Sequence, residues 1–210
     1  MELGEYGFIS DCHTAALVSR AGSVDWCCLP RFDSGSAFGR LLAPDAGTCV
    51  VAVAGEGRRG SRAYVDGTMV LATSLRGPDG EATLYDCFAI AESAGRGDER
   101  RRLVRVVEGV RGEVRIRVEV RPRFDYGAIA PWIRAHGGGL HSAVGGDDGL
   151  LCWSDVELSA DNDHGLCGEA VVGAGRRARV LLEFRRPAAS GGCRSGPPAT
   201  CARPARPARS

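Results

Sequence analysis

A chain of 210 residues, 44% of them hydrophobic, can bury a sizeable core without disulfide or metal staples. Its formal net charge of +1 speaks against a dedicated nucleic-acid binder, and no apolar run reaches the roughly 20 residues of a membrane helix. All 27 positive side chains are Arg, with no Lys or Gln and a single Asn, which matches a gene of very high GC content rather than selection for phosphate contacts.

The opening MELGEYGFISD carries acidic residues where a secretory leader needs basic ones, so the expected location is cytoplasmic. In chain order, runs rich in β-branched residues recur between Gly, Asp and Pro punctuation. They are AALVS (15–19), SVDWCCL (23–29), TCVVAVA (48–54), TMVLATSL (68–75), EATLYDCFAI (81–90), RLVRVVEG (102–109), EVRIRVEVRPRF (113–124), GLLCWSDVEL (149–158), LCGEAVV (166–172) and ARVLLEF (178–184). SRAGS (19–23) and RGPDGE (76–81) read as tight hairpin turns in which Gly supplies the positive φ. The one helical candidate is SAFGRLL (36–42), a short turn that Asp33 or Ser34 would cap.

Alternation decides the fold class. Val114, Ile116, Val118 and Val120 face one way, while Glu113, Arg115, Arg117, Glu119 and Arg121 face the other. Strands with one wet face belong to antiparallel sheets, so the expectation is an all-β antiparallel sandwich over residues 1–186. After Arg186 the segment 187–210 has no acidic residue and no Leu, Ile, Val, Phe or Met, and is expected to be disordered. Two readings of that Pro/Ala/Arg-rich tail stand: a frameshift past a break, or a true basic tail.

The chemistry-bearing residues are few. Nine cysteines, scattered and without a CxxC pair, read as buried free thiols rather than a disulfide framework or a zinc site. Cys12 beside His13 is the one sequence-local thiol and base, but strand neighbours point to opposite faces, giving a buried Cys and a surface His. His136, His141 and His164 fall in Gly- and Asp-rich stretches and read as solvated loop residues. DNDHG (161–165) starts like a calcium loop, but Gly165 and Val172 stand where ligands are needed; GGDDG and GGGL read as turns. No GxSxG elbow is present.

The adjacent Cys27 and Cys28 cannot both face the core of a regular strand, and are treated as packing residues. PRFDS (30–34) is more informative: Pro30 ends a strand, Arg31 and Asp33 place opposite charges together, and Phe32 offers an aromatic face. That set can contact a sugar. It can equally cap the following turn with Phe32 in the core.

EYGFISDCHTAALVSRAGSVDWCCLPRFDSGSAFGRLL (5–42) and LVRVVEGVRGEVRIRVEVRPRFDYGAIAPWI (103–133) resemble two long, ordered motifs of glycoside hydrolase family 15, the glucoamylase and trehalase group. The resemblance runs from about Glu5 to about Phe184 and implies a supersandwich-like N-terminal domain. In that family the domain precedes an (α/α)6 barrel, which carries the acid and base glutamates for inverting hydrolysis of α-glucosidic bonds without a cofactor or metal. Those glutamates lie outside the matched region, so the chain is expected to lack catalytic residues and to be truncated before its barrel, the partner normally present in cis. The resemblance further places Trp26, Arg31, Phe32 and Asp33 at the barrel-facing surface or the rim of the sugar site. Gly35, Ala21 and Cys27 depart from the usual proline, acidic residue and bulky apolar residue, which loosens the first motif. The alternative is a stand-alone carbohydrate-binding or interaction module taking an α-glucoside, with Trp132 and Trp153 on its exposed face; neither nucleic acid nor membrane is an expected partner.

Overall fold

The computed structural model describes residues 3–55, 57–90, 101–161 and 164–186, apart from the side chains of Arg58 and Arg59. The tail 187–210 lies outside the described residues, as does the predicted disorder there. Fifteen strands form one continuous antiparallel system, with no α-helix among the described residues. Its spine is β9 (Arg102–Arg121), a 20-residue strand that joins the two predicted runs 102–109 and 113–124.

Two sheets grow from β9. Its second half pairs with β5 (Thr48–Val53) and β14 (Leu166–Gly173), and from β5 the first sheet continues through β3 (Ser23–Cys28), β2 (Ala15–Val18) and β1 (Gly7–Ser10). Its first half pairs with β8 (Gly80–Phe88) and β15 (Arg177–Phe184). The second sheet runs from β8 to β7 (Leu71–Arg76) and β6 (Arg58–Tyr64), and from β15 to β12 (Asp148–Ser154), β11 (Leu140–Gly145) and β10 (Trp132–Gly137). Short β4 (Ser36–Phe38) lies on β3, and β13 (Ser159–Ala160) on β14. The strand changes sheets at Gly109–Gly112, where Gly112 has φ +59 and a Cβ would sit 2.1 Å from the Asp79 carbonyl oxygen. Only glycine makes that corner without strain.

The predicted alternation holds: Val114, Ile116, Val118 and Val120 are buried in the core shared by the two sheets. SRAGS joins β2 to β3 and RGPDGE joins β7 to β8, both antiparallel. Gly22 has φ +77, as the first turn requires. Gly80 is not in the left-handed region; it is glycine because β9 passes too close, with the Arg111 carbonyl oxygen 2.5 Å from an added Cβ. Six of the strands, β1, β4, β6, β10, β11 and β13, lie outside the predicted runs. They are short or rich in Gly, Arg and His, so alternation is weak in them.

SAFGRLL is not a helix. Ser36, Ala37 and Phe38 are all buried in β4, and the backbone groups that would form helical bonds go elsewhere. The Ala37 carbonyl accepts from Arg123 N (2.9 Å), Arg40 N donates to the Gly47 carbonyl (3.0 Å), and Leu41 N donates to the Asp25 carbonyl (2.9 Å). A short segment with weak intrinsic helicity takes the partners its neighbouring strands offer.

One feature of the core departs from its apolar pattern. Asp86 on β8 and Arg105 on β9 are directly opposed in register, both at core-facing positions, and both side chains are fully buried. Arg105 Nε donates to Asp86 Oδ1 (2.7 Å), while its Nη1 and Nη2 reach across to the carbonyls of Cys49 on β5 (2.6 Å) and Gly22 in the β2–β3 turn (2.8 Å). Burial opposes the charge on Arg105, but Asp86 and then Cys49 outweigh it, and the guanidinium titrates above its ordinary range. The pair is a polar rivet between the sheets.

Candidate functional site

Strand β3 ends at Cys28, a cis peptide joins Leu29 to Pro30, and the PRFDS loop follows. Arg31 and Asp33 form a two-pronged ion pair, Nε to Oδ1 at 2.8 Å and Nη2 to Oδ2 at 3.2 Å. Both side chains are more than half exposed, and the hydrogen bond from Arg31 holds the Asp33 carboxyl below its usual range. Neither Asp33 nor Ser34 caps a helix: Asp33 is taken by Arg31, and Ser34 Oγ accepts from Arg31 N at 3.3 Å. Phe32 is 67% exposed, so the alternative that placed its ring in the core fails. Its backbone is held instead, Phe32 N donating to the His13 carbonyl (3.0 Å) and Tyr126 Oη to the Ser34 carbonyl (3.2 Å). The ring of half-buried Trp26 stands 6.0 Å from that of Tyr126, tilted by 34°. Phe32 and the Arg31–Asp33 pair thus share one loop, and the Trp26–Tyr126 pair adjoins it through the Tyr126 bond to Ser34; such a set of groups can stack on an apolar face and hydrogen-bond hydroxyls.

Beside it lies a second copy of the same tetrapeptide. Pro122–Arg123–Phe124–Asp125 follows β9, and a Cβ on Gly35 would touch Asp125 Cα at 3.5 Å. The two copies have opposite fates. Phe124 is 1% exposed, closes a turn with Ile129 through paired backbone bonds (2.9 and 3.0 Å), and sits in the core. Arg123 is buried and donates to the carbonyls of Pro122 (2.9 Å) and His164 (3.2 Å). Repetition of PRFD in the sequence was the available signal for this pairing of loops; it carries no sign of which copy is buried.

Next to Trp26, buried Asp25 anchors a network that the sequence reading missed. Its carboxylate accepts from Tyr6 Oη (2.9 Å), from Ser23 Oγ and from Thr48 Oγ1 (3.3 Å), with Arg40 Nη1 at 3.8 Å. Burial, then the bond to Asp25, pushes the Tyr6 phenol up to about 12. A carboxylate so fully engaged holds the strand in place and is not positioned to move a substrate proton.

The remaining candidates separate. Cys12 is exposed, with φ +69, in a turn closed by Asp11, whose Oδ1 accepts from His13 N and Thr14 N (2.9 Å each). The expected strand with an inward Cys is therefore wrong there, because the Asp side chain imposes a turn. Cys27 and Cys28 are both buried, reconciled by a register shift between them in the pairing with β4. Burial pushes the Cys28 thiol up to about 11. His141 is buried on β11 rather than solvated in a loop, and His136 on β10 contacts Ser142 Oγ (2.8 Å). His164 packs edge-on to Trp132, ring centroids 6.4 Å apart, its Nδ1 3.0 Å from the Pro131 carbonyl. Trp132 is paired with Val144 and Trp153 with Leu140, so the two indoles lie on the same face of the sheet, at opposite ends of β11. Asp161 is engaged by Arg121 (2.7 Å) and Gly165 N (3.0 Å); residues 162–163 of the calcium-like stretch lie outside the described residues. GGDDG and GGGL are hairpin turns, as expected.

Fold and loop together define an antiparallel β-sandwich domain that presents an aromatic and charged loop at one end. The family described as "Trehalase-like, N-terminal" matches residues 2–199, and the chain belongs to it. It is similar to a trehalase of Mycolicibacterium smegmatis, 33% identical over 144 residues, which cover 62% of this chain and 22% of that protein. Trehalase 1 of Sulfolobus acidocaldarius is 33% identical over 134 residues, 64% of this chain and 22% of that protein. A trehalase of Mycobacterium tuberculosis is 31% identical over 144 residues. The chain spans about a fifth of the length of these curated relatives.

Proposed function

We propose that the chain is the non-catalytic N-terminal domain of a family 15 glycoside hydrolase of the trehalase and glucoamylase type. The observation that carries this is the family match over residues 2–199 set against relatives named trehalase, of which the chain spans about a fifth. Inverting hydrolysis of an α-glucosidic bond needs an acid and a base roughly 6.5–9.5 Å apart on either side of the sugar. In this reading both belong to the (α/α)6 barrel, and this domain supplies none. The loop with Trp26, Arg31, Phe32 and Asp33 faces the barrel or rims its sugar site. Seven free cysteines among the described residues support a reducing, cytoplasmic setting.

Purified chain incubated with trehalose or maltose is expected to release no glucose above a buffer control. Release that disappears on replacing one of its carboxylates would overturn the reading. A second reading, a free-standing carbohydrate-binding module, is favoured by the 81% exposure of Trp132 beside a fixed His164. Titrating trehalose and maltooligosaccharides against tryptophan fluorescence separates the two, since only the module gives a saturable change.

A further inference from the structure

A cavity of about 800 Å³ opens between β1, the β6–β7 turn and the end of β8. Tyr64, Val65, Met69, Phe88 and Ile90 form its walls, and Asp66 is the one charged residue lining it, in a chain that is 25% charged. Ile90 is 80% exposed; Phe8, Tyr64, Val65 and Met69 are exposed as well. Hydrogen bonds tie its walls together. Tyr64 Oη accepts from Phe8 N (3.0 Å) and donates to the Phe8 carbonyl (2.7 Å), and the β6–β7 turn is closed by Val65 N to the Val70 carbonyl (2.9 Å). A contiguous, ordered apolar patch depleted of charge has the composition of an interface core.

The topology says what lies next to it. Leu103 at the start of β9 is opposed by Phe88 on one side and Leu182 on the other, which sets β8 and β15 roughly 10 Å apart. Ala89 N and Phe184 N donate to the Arg102 and Arg101 carbonyls (2.9 Å each). Phe184–Arg186, the last described residues, therefore leave the second sheet at the end where the groove opens. Arg101 Nε also stands 3.5 Å from Asp11, in the same β1–β2 turn whose His13 carbonyl holds the PRFDS loop. Groove, chain exit and aromatic loop occupy one end of the sandwich.

We propose that this end is a docking face, and that the groove around Met69 and Ile90 is covered by the polypeptide that follows the N-terminal domain in the longer trehalases. The proposal rests on the reading of the chain as an accessory domain. A segment tethered beside the groove has a high effective concentration there, which a second copy of the chain lacks. Covering Ile90 and Met69 removes apolar surface from water, and a carboxylate introduced at either position would be desolvated on docking.

The test is binding in trans of the 210-residue chain to Mycolicibacterium smegmatis trehalase lacking its matching segment, by titration calorimetry and sedimentation velocity. Binding by the unmodified chain, weakened about tenfold or more by Ile90→Asp and Met69→Asp and unchanged by Val171→Asp on β14, supports the proposal. Equal binding by all variants overturns the groove and leaves the accessory-domain reading standing. Failure of the unmodified chain to bind a truncated trehalase that circular dichroism and a cooperative thermal transition show to be folded overturns that reading, and the groove assignment with it. Self-association of the chain that Ile90→Asp abolishes, without binding to the trehalase, makes a second copy the occupant and overturns the proposal. Ile90 lies beyond β8 with its side chain in water, so its replacement leaves the fold intact, and circular dichroism checks this.

Discussion

Arg105→Met removes one half of the rivet between the two sheets while keeping most of its volume. Asp86 is then a fully buried carboxylate facing an apolar side chain, and removal of one partner from such a pair costs about 3–5 kcal/mol. The Gly22 carbonyl keeps its bond from Val51 N (2.9 Å), so the loss is dominated by the stranded charge and not by an orphaned backbone acceptor. Against a total stability on the order of 5–15 kcal/mol, that is about a fifth or more, and the midpoint of thermal unfolding is expected to fall by roughly 10 °C. Urea unfolding followed by tryptophan fluorescence measures it, with an unchanged slope confirming that the same surface is exposed. The double variant Arg105→Met/Asp86→Leu should recover much of the loss, since an apolar pair of similar volume leaves no buried charge. A single-variant deficit below about 1 kcal/mol, or a double variant no better than the sum of its parts, would refute the reasoning.

The two PRFD copies offer a controlled comparison: Phe124→Ala is expected to cost about 3–5 kcal/mol in the same urea assay, and Phe32→Ala under about 0.5 kcal/mol, because one ring is in the core and the other in water. Tyr6 should titrate at about 12 by absorbance near 295 nm, and Tyr6→Phe should remove that step. Its raised pKa means its contribution to stability is complete below the ordinary phenol value of 10.0 and lost as pH rises toward about 12, so Tyr6→Phe should flatten that alkaline decline. Among the seven described cysteines, Cys12 should alkylate first and Cys27, Cys49 and Cys152 last, read by peptide mass spectrometry. Burial raises the pKa of all three slow thiols, and an order with any of them ahead of Cys12 would contradict the placement.

The sheet core was legible because alternation is a local property. Val114 to Val120 could be assigned to one face from the chain alone, and two hairpins from their Gly-containing turns. The rivet was legible in principle: Asp86 is in phase with Leu84 and Phe88, and Arg105 with Leu103 and Val107. A charge in the core phase of two strands is a signal, but only their pairing shows that the charges meet. SAFGRLL misled because a short segment's own preference is weaker than the backbone partners supplied by Gly47 and Arg123. Cys12 misled because Asp11 turns the chain before a strand can form.

By itself the sequence determined that the chain is all-β, which residues of the long strand face inward, and which family motifs it carries, since each depends on spacing along the chain. Tertiary structure alone decided that Phe124 is buried and Phe32 exposed in identical tetrapeptides. It also decided that Arg105 spans two sheets, and that the groove at Ile90 opens beside the chain exit. Those facts rest on which strands lie beside and across from one another, and burial depends on neighbours that local spacing does not specify.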